Sequence, residues 1–212
     1  MGNLGHVFWL GGSPCAGKSS ISEILVGRFD LRLYRVDEAF EEHARRFDSS
    51  RQPALTKWLA SSWDERWTGP VESLVREVID CYREHFALIL EDVLSLPRDR
   101  NVLVEGTALP PRDVAGVLTD RRRALWVVPT ADFQREHYSK REWVCRILEQ
   151  CDSPEAAFRN WMERDAEFAR WVAAEVNELG LELLTVDGRR TIEENASTVA
   201  SHFRLSDDAR DE

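Results

Sequence analysis

A glycine-rich segment near the start of the chain has residue types and a spacing that could bind phosphate. It follows the apolar run at 6–10, and a segment with helical periodicity comes after it. The segment fits the pattern G-x-x-x-x-G-K-[ST] in the strand–loop–helix context that this pattern requires. Glycine permits backbone angles that direct successive N–H groups at one anion, and the following helix adds its positive end. The sequence therefore predicts a phosphate-binding loop made of Gly12, Ser13, Pro14, Cys15, Ala16, Gly17, Lys18, Ser19 and Ser20.

Two side chains of this loop have predicted roles of their own. Lys18 would reach the β- and γ-phosphates of a nucleoside triphosphate, and the hydroxyl group of Ser19 would hold Mg²⁺. The alternative is a plain glycine turn with a solvated lysine, which leaves the match of both motif and context unexplained. The sequence thus predicts binding of ATP, or alternatively GTP, together with Mg²⁺.

Strand-like apolar segments alternate with helical patterns along the chain. The predicted strands are 6–10, 31–36, 101–106, 124–128 and 181–186. Alternation of this kind implies a parallel sheet with helices on both faces and right-handed crossovers between strands. The sequence therefore predicts an α/β fold with a five-stranded parallel sheet, and it places the ligand at the carboxyl ends of the strands.

Carboxylates and a glycine stand where the predicted strands end. Asp37 follows the second strand, Glu105 closes the third, and Asp187 and Gly188 follow the fifth. A buried Glu105 would need a partner, either a hydrated Mg²⁺ or a structural one such as backbone N–H groups or a salt bridge. Asp37 could accept or orient the proton of an acceptor hydroxyl, and it could equally cap the helix that follows.

The loop and the order of elements resemble the small-molecule P-loop kinases. This group includes nucleoside and nucleotide kinases, shikimate and gluconate kinases, and chloramphenicol phosphotransferase. The topology resembles theirs over nearly the whole chain, although Gly12–Ser19 is the only specific motif. The resemblance implies a three-layer P-loop NTPase fold with a helical lid. In that group the residues matching Asp37 and Glu105 face the acceptor hydroxyl and support Mg²⁺ through water, and adenine is held near the positions of Asp187 and Gly188.

The chain is predicted to form one domain at 1–205 followed by a flexible tail at 206–212. Within the domain, 38–100 would be the acceptor-side helical region and 131–170 the lid region. In the helix predicted to start at Ala131, an inward stripe runs as far as Leu148, and His137 and Lys140 lie on it while Arg141 borders it. Cationic groups on an inward face could meet triphosphate oxygens, or they could be solvated while their stems pack.

The next predicted helix carries an ionisable pair on its apolar face. Asp165 falls in the middle of that face and Arg164 on its edge. If the helix is continuous, Asp165 is a buried carboxylate that must be paired, and an arginine is the expected partner. The hypothesis is that Asp165 fixes a lid arginine and that Arg164, as a catalytic residue beside Lys18 and Asp37, reaches the transferring phosphoryl group. A helix break near Asp165 with both residues solvated is the alternative.

Three tryptophans, Trp58, Trp63 and Trp67, stand close together before the longest predicted helix. They could wall an acceptor pocket by stacking on a ring, with Asp64 and Arg66 as polar contacts. Tryptophans at this spacing more often pack helices together, so the core interpretation is favoured.

The composition excludes several classes of partner. At 212 residues and a formal charge of −10, the chain has no basic excess that points to duplex nucleic acid or to an anionic membrane. Four cysteines without C-x-x-C spacing, and the lack of a recognisable signal peptide, favour a cytoplasmic protein. The oligomeric state is left open between monomer and homodimer.

These patterns together predict an ATP-dependent phosphotransferase that acts on a hydroxyl group of a small molecule, such as a nucleoside, a sugar-like metabolite or an antibiotic. A nucleoside monophosphate kinase is an alternative and would need arginines that grip the acceptor phosphate. A GTP switch ranks low because no Asn-Lys-x-Asp motif is present. An ATP-dependent regulator or motor would need sensor segments that the sequence does not show.

Overall fold

The computed structural model describes residues 4–206. In this range five strands form a single sheet in which every neighbouring pair is parallel, in the order β2-β3-β1-β4-β5. The strands are β1 Val7–Gly12, β2 Leu31–Arg35, β3 Asn101–Glu105, β4 Ala124–Pro129 and β5 Glu182–Val186. The predicted α/β fold with a five-stranded parallel sheet is confirmed.

Helices cover the sheet on both faces. They are α1 Lys18–Arg28, α2 Val36–Arg46, α3 Pro53–Ala60, α4 Trp63–Trp67, α5 Val71–Ser95, α6 Pro111–Ala115, α7 Ala131–Tyr138, α8 Glu142–Leu148, α9 Pro154–Glu178 and α10 Ile192–Phe203. Side chains of β1 alternate between two apolar layers, with Trp9 in the layer under α5 and α9 and Leu10 in the layer under α1 and α10. A strand that is buried on both faces and lies in the middle of a sheet explains the unbroken apolar run in the sequence.

The carboxyl ends of the central strands lie close together because of the register. Leu10 is opposite Glu105 on β3, and Gly12 is opposite Val127 on β4. Gly12 has a φ of 135°, and a Cβ atom there would lie 1.9 Å from the carbonyl oxygen of Val127. Only glycine allows the chain to leave β1 this close to β4.

A second glycine sets the distance between β3 and α2. A Cβ atom on Gly106 would lie 2.4 Å from Cβ of Val36, the first residue of α2. The backbone at the end of β3 therefore packs directly against the start of the helix that carries Asp37.

Side-chain caps mark the start of two helices. Thr130 accepts a hydrogen bond from the backbone of Phe133 at the start of α7, and Thr191 and Glu194 form a capping box at the start of α10. The prediction of one helix from Ala131 to Leu148 is wrong, because the chain leaves the helical conformation between α7 and α8. Arg141 there has extended backbone angles.

Within residues 4–206, no helix has the length and apolar character needed to cross a bilayer. The predicted tail at 206–212 lies, from residue 207 onward, outside the described residues.

Candidate active site

The loop between β1 and α1 turns through residues in the left-handed region of backbone space. Cys15 has a φ of 63° and Gly17 a φ of 81°. Gly17 is also the residue before α1, and no side chain caps the helix there. The first turn of α1 contains no acidic residue. Its N–H groups and positive end are therefore available to an anion.

Lys18 lies at the bottom of this loop with only 6% of its surface exposed. Its Nζ donates hydrogen bonds to the carbonyl oxygen of Ser13 at 2.8 Å and to Oγ1 of Thr107 at 3.3 Å. An ammonium group has three donors, so one remains for a ligand. Burial lowers the pKa of Lys18, although nearby Glu105 opposes this effect. A buried cation without a hydrogen-bonded carboxylate is electrostatically suited to bind an anion.

Ser19 and Glu105 place two side-chain oxygen atoms next to each other. The Ser19 hydroxyl donates to Oε1 of Glu105 at 3.3 Å. Glu105 is buried, and burial together with the charge of Asp37 raises its pKa, while Lys18 and the Ser19 hydrogen bond oppose the rise. Hard oxygen donors and an under-compensated carboxylate suit Mg²⁺. Among residues 4–206 no group of three acidic, histidine or cysteine side chains could hold a metal ion. Phosphate oxygens and water would complete the coordination sphere.

A cavity of about 480 Å³ opens in front of these residues. One end is polar and consists of the phosphate-binding loop, Asp37, Glu105 and Thr107. The other end is mostly apolar and aromatic, with Phe40, Leu55, Trp58, Trp63, Val78, Tyr82 and His85 in its wall. The arrangement places a phosphate site and a hydrophobic pocket in one continuous space.

Asp37 lines the cavity from α2, the helix that also carries Phe40 of the apolar end. It is exposed and belongs to the first turn of α2, whose N-cap residue is Arg35. Asp37 is therefore not the N-cap, which lies two residues earlier, and its side chain lines the cavity. Its role toward an acceptor hydroxyl stays a prediction.

Arg164 and Asp165 lie in the interior of α9, which continues through both residues. Asp165 is 1% exposed, and it accepts hydrogen bonds from Nε of Arg164 at 2.8 Å and from the hydroxyl of Tyr138 at 3.0 Å. Burial lowers the pKa of Arg164, but the charge and hydrogen bond of Asp165 together with Tyr82 and Tyr138 have the larger combined effect and raise it. The prediction that Asp165 is buried and paired with an arginine is confirmed, and that arginine is Arg164 itself. Arg164 also lines the cavity.

The predicted lid cations do not share one face. Arg141, in the break between α7 and α8, lines the cavity. His137 instead stacks on Phe133 at 3.9 Å between ring centroids. Lys140 is exposed and pairs with Glu136 at 2.7 Å. The shared stripe required a continuous helix, and the break turns Lys140 toward solvent, so the structure does not bring His137 and Lys140 to the site.

The predicted acceptor residues divide in the same way. Trp63 lines the cavity, while Arg66 lies behind the wall, with its guanidinium group 3.9 Å from the ring centroid of Trp58 and 4.5 Å from that of Trp63. Asp64 accepts a hydrogen bond from the backbone N–H of Asp152 at 3.1 Å. Arg66 and Asp64 thus support the wall, and the tryptophans both pack helices and face the cavity.

Asp187 and Gly188 lie in a separate hollow at the end of β5. Asp187 accepts a hydrogen bond from the backbone of Arg189 at 3.0 Å, and Gly188 has a φ of 84°. The start of α10 joins this hollow to the loop, since a Cβ atom on Gly17 would lie 3.1 Å from Ile192. Adenine binding by Asp187 and Gly188 stays a prediction.

The described residues combine a five-stranded parallel sheet with a glycine-rich loop between β1 and α1. No protein-family model matches the sequence, and the search of curated proteins found no match. Among solved structures, it is similar to deoxyadenosine kinase from M. mycoides with bound dATP, with 11% identity and a TM-score of 0.47 over 93% of this chain and 99% of that one. It is also similar to a presumed kinase from Chloroflexus aurantiacus, with 16% identity and a TM-score of 0.37 over 92% and 97%. At these identities the likeness concerns the fold alone.

Sequence reasoning missed several residues that line the cavity. Thr107 follows Glu105 by two positions and carries no motif. Tyr138, Trp143 and Trp161 come from the lid region and close the cavity near Arg164. His85 is the one that a signal could have revealed, because it is a polar residue on the apolar face of α5.

Proposed function

We propose that the protein transfers the γ-phosphoryl group of Mg-ATP to a hydroxyl group of a small, uncharged molecule. The observation that carries this proposal is the position of Lys18, a buried cation with a free donor at the base of a phosphate-binding loop, in a cavity that extends to Asp37. Donor and acceptor groups would therefore meet in one space.

The residues present divide the work of such a transfer. The acceptor oxygen forms a bond to the γ-phosphorus while the bond from that phosphorus to the bridging oxygen breaks, and ADP leaves. Asp37 would accept the proton that the acceptor hydroxyl loses. Lys18 and Arg164 would stabilise the charge on the transferring group. Ser19 and Glu105 would hold Mg²⁺, which when bound neutralises the charge that develops on the phosphate oxygens.

The positions of the arginines disfavour a nucleoside monophosphate as acceptor. Such a substrate needs cations that grip its phosphate group. Arg45 pairs with Glu41, and Arg83 pairs with Glu175. Arg46 contacts Asp92, and Arg66 lies behind the tryptophan wall. None of these four arginines lines the cavity. The two that do are Arg164, assigned above to the transferring group, and Arg141, whose charge acts on Cys15 and Lys18 of the phosphate-binding loop.

An ADP-release screen tests the proposal. Purified protein with Mg-ATP would be offered nucleosides, nucleotides, sugars, and aminoglycoside and phenicol drugs, alongside aromatic alcohols. We expect one uncharged alcohol to raise ADP release well above the rate without acceptor. Slow hydrolysis that no acceptor stimulates would instead indicate a switch or a motor.

Replacing Asp37 by asparagine should lower acceptor-dependent ADP release about 10²-fold, because the acceptor proton loses its carboxylate partner. The affinity for Mg-ATP, followed by thermal shift, should stay the same since the phosphate-binding loop is intact. The matched control is Asp80→Asn, which makes the same change on the far side of the tryptophan wall. An Asp37→Asn variant with normal turnover would show that Asp37 does not take part in the transfer.

Replacing Glu105 by glutamine should raise the magnesium requirement of the protein without lowering its melting temperature. Burial disfavours the charge of Glu105, so the variant without ligand should melt at an equal or higher temperature than the wild type. The Mg²⁺ concentration for half-maximal ADP release should rise about tenfold or more, because a charged oxygen near the metal is lost. A magnesium titration and a melting curve on the same samples check both halves. An unchanged magnesium requirement would contradict the assignment.

A further inference from the structure

A chain of hydrogen bonds runs from the aromatic end of the cavity to the protein surface. His85 lines the cavity, and its Nε2 lies 2.7 Å from Nδ1 of His43. Nε2 of His43 lies 2.8 Å from Oδ2 of Asp92. His43 is 1% and His85 3% exposed, so these two rings depend on each other for hydrogen bonding.

The direction of this chain is set at Asp92. The carboxylate accepts hydrogen bonds from the hydroxyl of Tyr34 at 2.8 Å and from the guanidinium group of Arg46. A carboxylate with two such donors is an acceptor, so Nε2 of His43 must carry the proton that points at Asp92. When the His43 ring holds a single proton, that proton is therefore on Nε2 and Nδ1 is a hydrogen-bond acceptor.

The same logic then fixes His85. Because Nδ1 of His43 accepts, Nε2 of His85 must donate to it, and a neutral ring keeps its second nitrogen unprotonated. Burial and the adjacent His43 lower the pKa of His85 to about 3, against a small opposite effect of Asp92. The ring is therefore neutral at physiological pH. Its Nδ1 is left as a hydrogen-bond acceptor, and His85 is the member of the chain that lines the cavity.

Within residues 4–206, the hydrogen bond of His85 is made by Nε2, and its Nδ1 has no hydrogen-bond partner. Phe40 packs edge-on against the ring at 5.2 Å, and Phe40 also packs against Trp58 at 5.6 Å. Leu55, Trp63 and Val78 line the same cavity. An acceptor on an apolar wall is costly when a ligand excludes water from it without offering a donor.

We propose that Nδ1 of His85 selects the phosphoryl acceptor by taking a hydrogen bond from a second hydroxyl or amino group on it. The ligand class is an uncharged, ring-bearing alcohol: one hydroxyl lies near Asp37, the ring lies between the aromatic side chains, and a second donor meets His85. His43 and Asp92 are positioning residues that fix the tautomer. The proposal rests on the proposed function only in treating this ligand as the phosphoryl acceptor.

Nitrogen-15 NMR on the wild-type protein without nucleotide tests the tautomers directly. Long-range proton–nitrogen spectra of histidine-labelled protein should show both His43 and His85 with the proton on Nε2 and a bare Nδ1. A proton on Nδ1 of His85, or a doubly protonated His43 at neutral pH, would overturn the proposal. This measurement needs no variant, so it does not depend on whether a substituted protein folds.

A matched pair of small molecules tests recognition. 4-Hydroxybenzyl alcohol and 4-methoxybenzyl alcohol share a ring and a primary hydroxyl, and only the first has a second donor. By NMR titration without ATP, the first should bind about tenfold more tightly to the wild type. In His85→Phe the ratio should fall to about one. In Asp92→Asn it should also fall, together with loss of the single tautomer of His85.

The outcomes separate this proposal from the proposed function. Equal binding of the two alcohols to the wild type, an unchanged ratio in His85→Phe, or no binding of 4-hydroxybenzyl alcohol at millimolar concentration would each overturn the role of His85. None of these measurements involves phosphoryl transfer. Failure of the ADP-release screen would therefore leave them untouched, and failure of these measurements would leave Lys18 and Asp37 in place.

Discussion

A Lys18→Met variant is expected to lose acceptor-dependent ADP release by about 10³-fold. Methionine has nearly the length of lysine and fits a buried position, but it removes the cation that would bind the β- and γ-phosphates. The thermal shift that Mg-ATP produces in the wild type should disappear as well. Burial disfavours the charge of Lys18, so the variant without ligand should melt no lower than the wild type.

The matched control for this change is Lys57→Met, because Lys57 is exposed and pairs with Glu77 on the surface. It should keep its turnover and its thermal shift. If Lys18→Met still shows a magnesium-dependent thermal shift with ATP of wild-type size, the loop does not bind a triphosphate and the proposed function is lost.

The second large effect is expected at Arg164. Arg164→Lys keeps a cation beside Asp165 but replaces a planar fork by a single ammonium group. Arg164 uses Nε and one terminal nitrogen on Asp165, and the remaining nitrogen is the one free to meet a phosphoryl group. We expect turnover to fall about 10³-fold while the KM for ATP changes little, as for a cation that acts in the transition state.

Lysine is preferable to alanine at this position because of the buried pair. Alanine would leave Asp165 without its cation, which costs about 3–5 kcal/mol in other buried pairs and could unfold the protein. Arg170→Lys is the matched control, since Arg170 lies on the same helix but pairs with Glu167 on the surface. If the Arg164→Lys variant keeps turnover within tenfold of the wild type, the role of Arg164 is structural.

The donor end of the candidate site could be predicted from sequence because its signals are local. The loop at Gly12–Ser19 begins where the first predicted strand ends, and Glu105 closes the third predicted strand. Parallel strands then bring these ends to one edge of the sheet. The 3.3 Å contact between Ser19 and Glu105, 86 positions apart, follows from that rule.

The course of the chain from Ala131 to Leu148 could not be predicted, because the break between α7 and α8 has no local cause. No glycine or proline interrupts the segment from Ala131 to Leu148. Instead, Tyr138 turns inward to the buried Asp165, and the chain changes direction before Val144 packs into the same cluster. Tertiary packing here overrides helical periodicity, and it moves Arg141 to the cavity while Lys140 faces solvent.

The histidine network lay beyond sequence reasoning for a different reason. His43 and His85 are 42 positions apart on two helices, and their contact depends on how α2 lies across α5. Periodicity places His85 on an apolar face but gives no information on what faces it. Only the packed helices identify Asp92 as the group at the far end.

The contact between Gly106 and Val36 couples two halves of the cavity that are distant in sequence. Glu105 precedes the glycine and Asp37 follows the valine, so the separation of these two carboxylates depends on the Val36 side chain lying directly against the Gly106 backbone. Even one methyl group at 106 would force α2 away from the sheet and widen the gap between them. The distance between Glu105 and Asp37, across which a phosphoryl group could be transferred, is thus set by the absence of a Cβ atom at position 106.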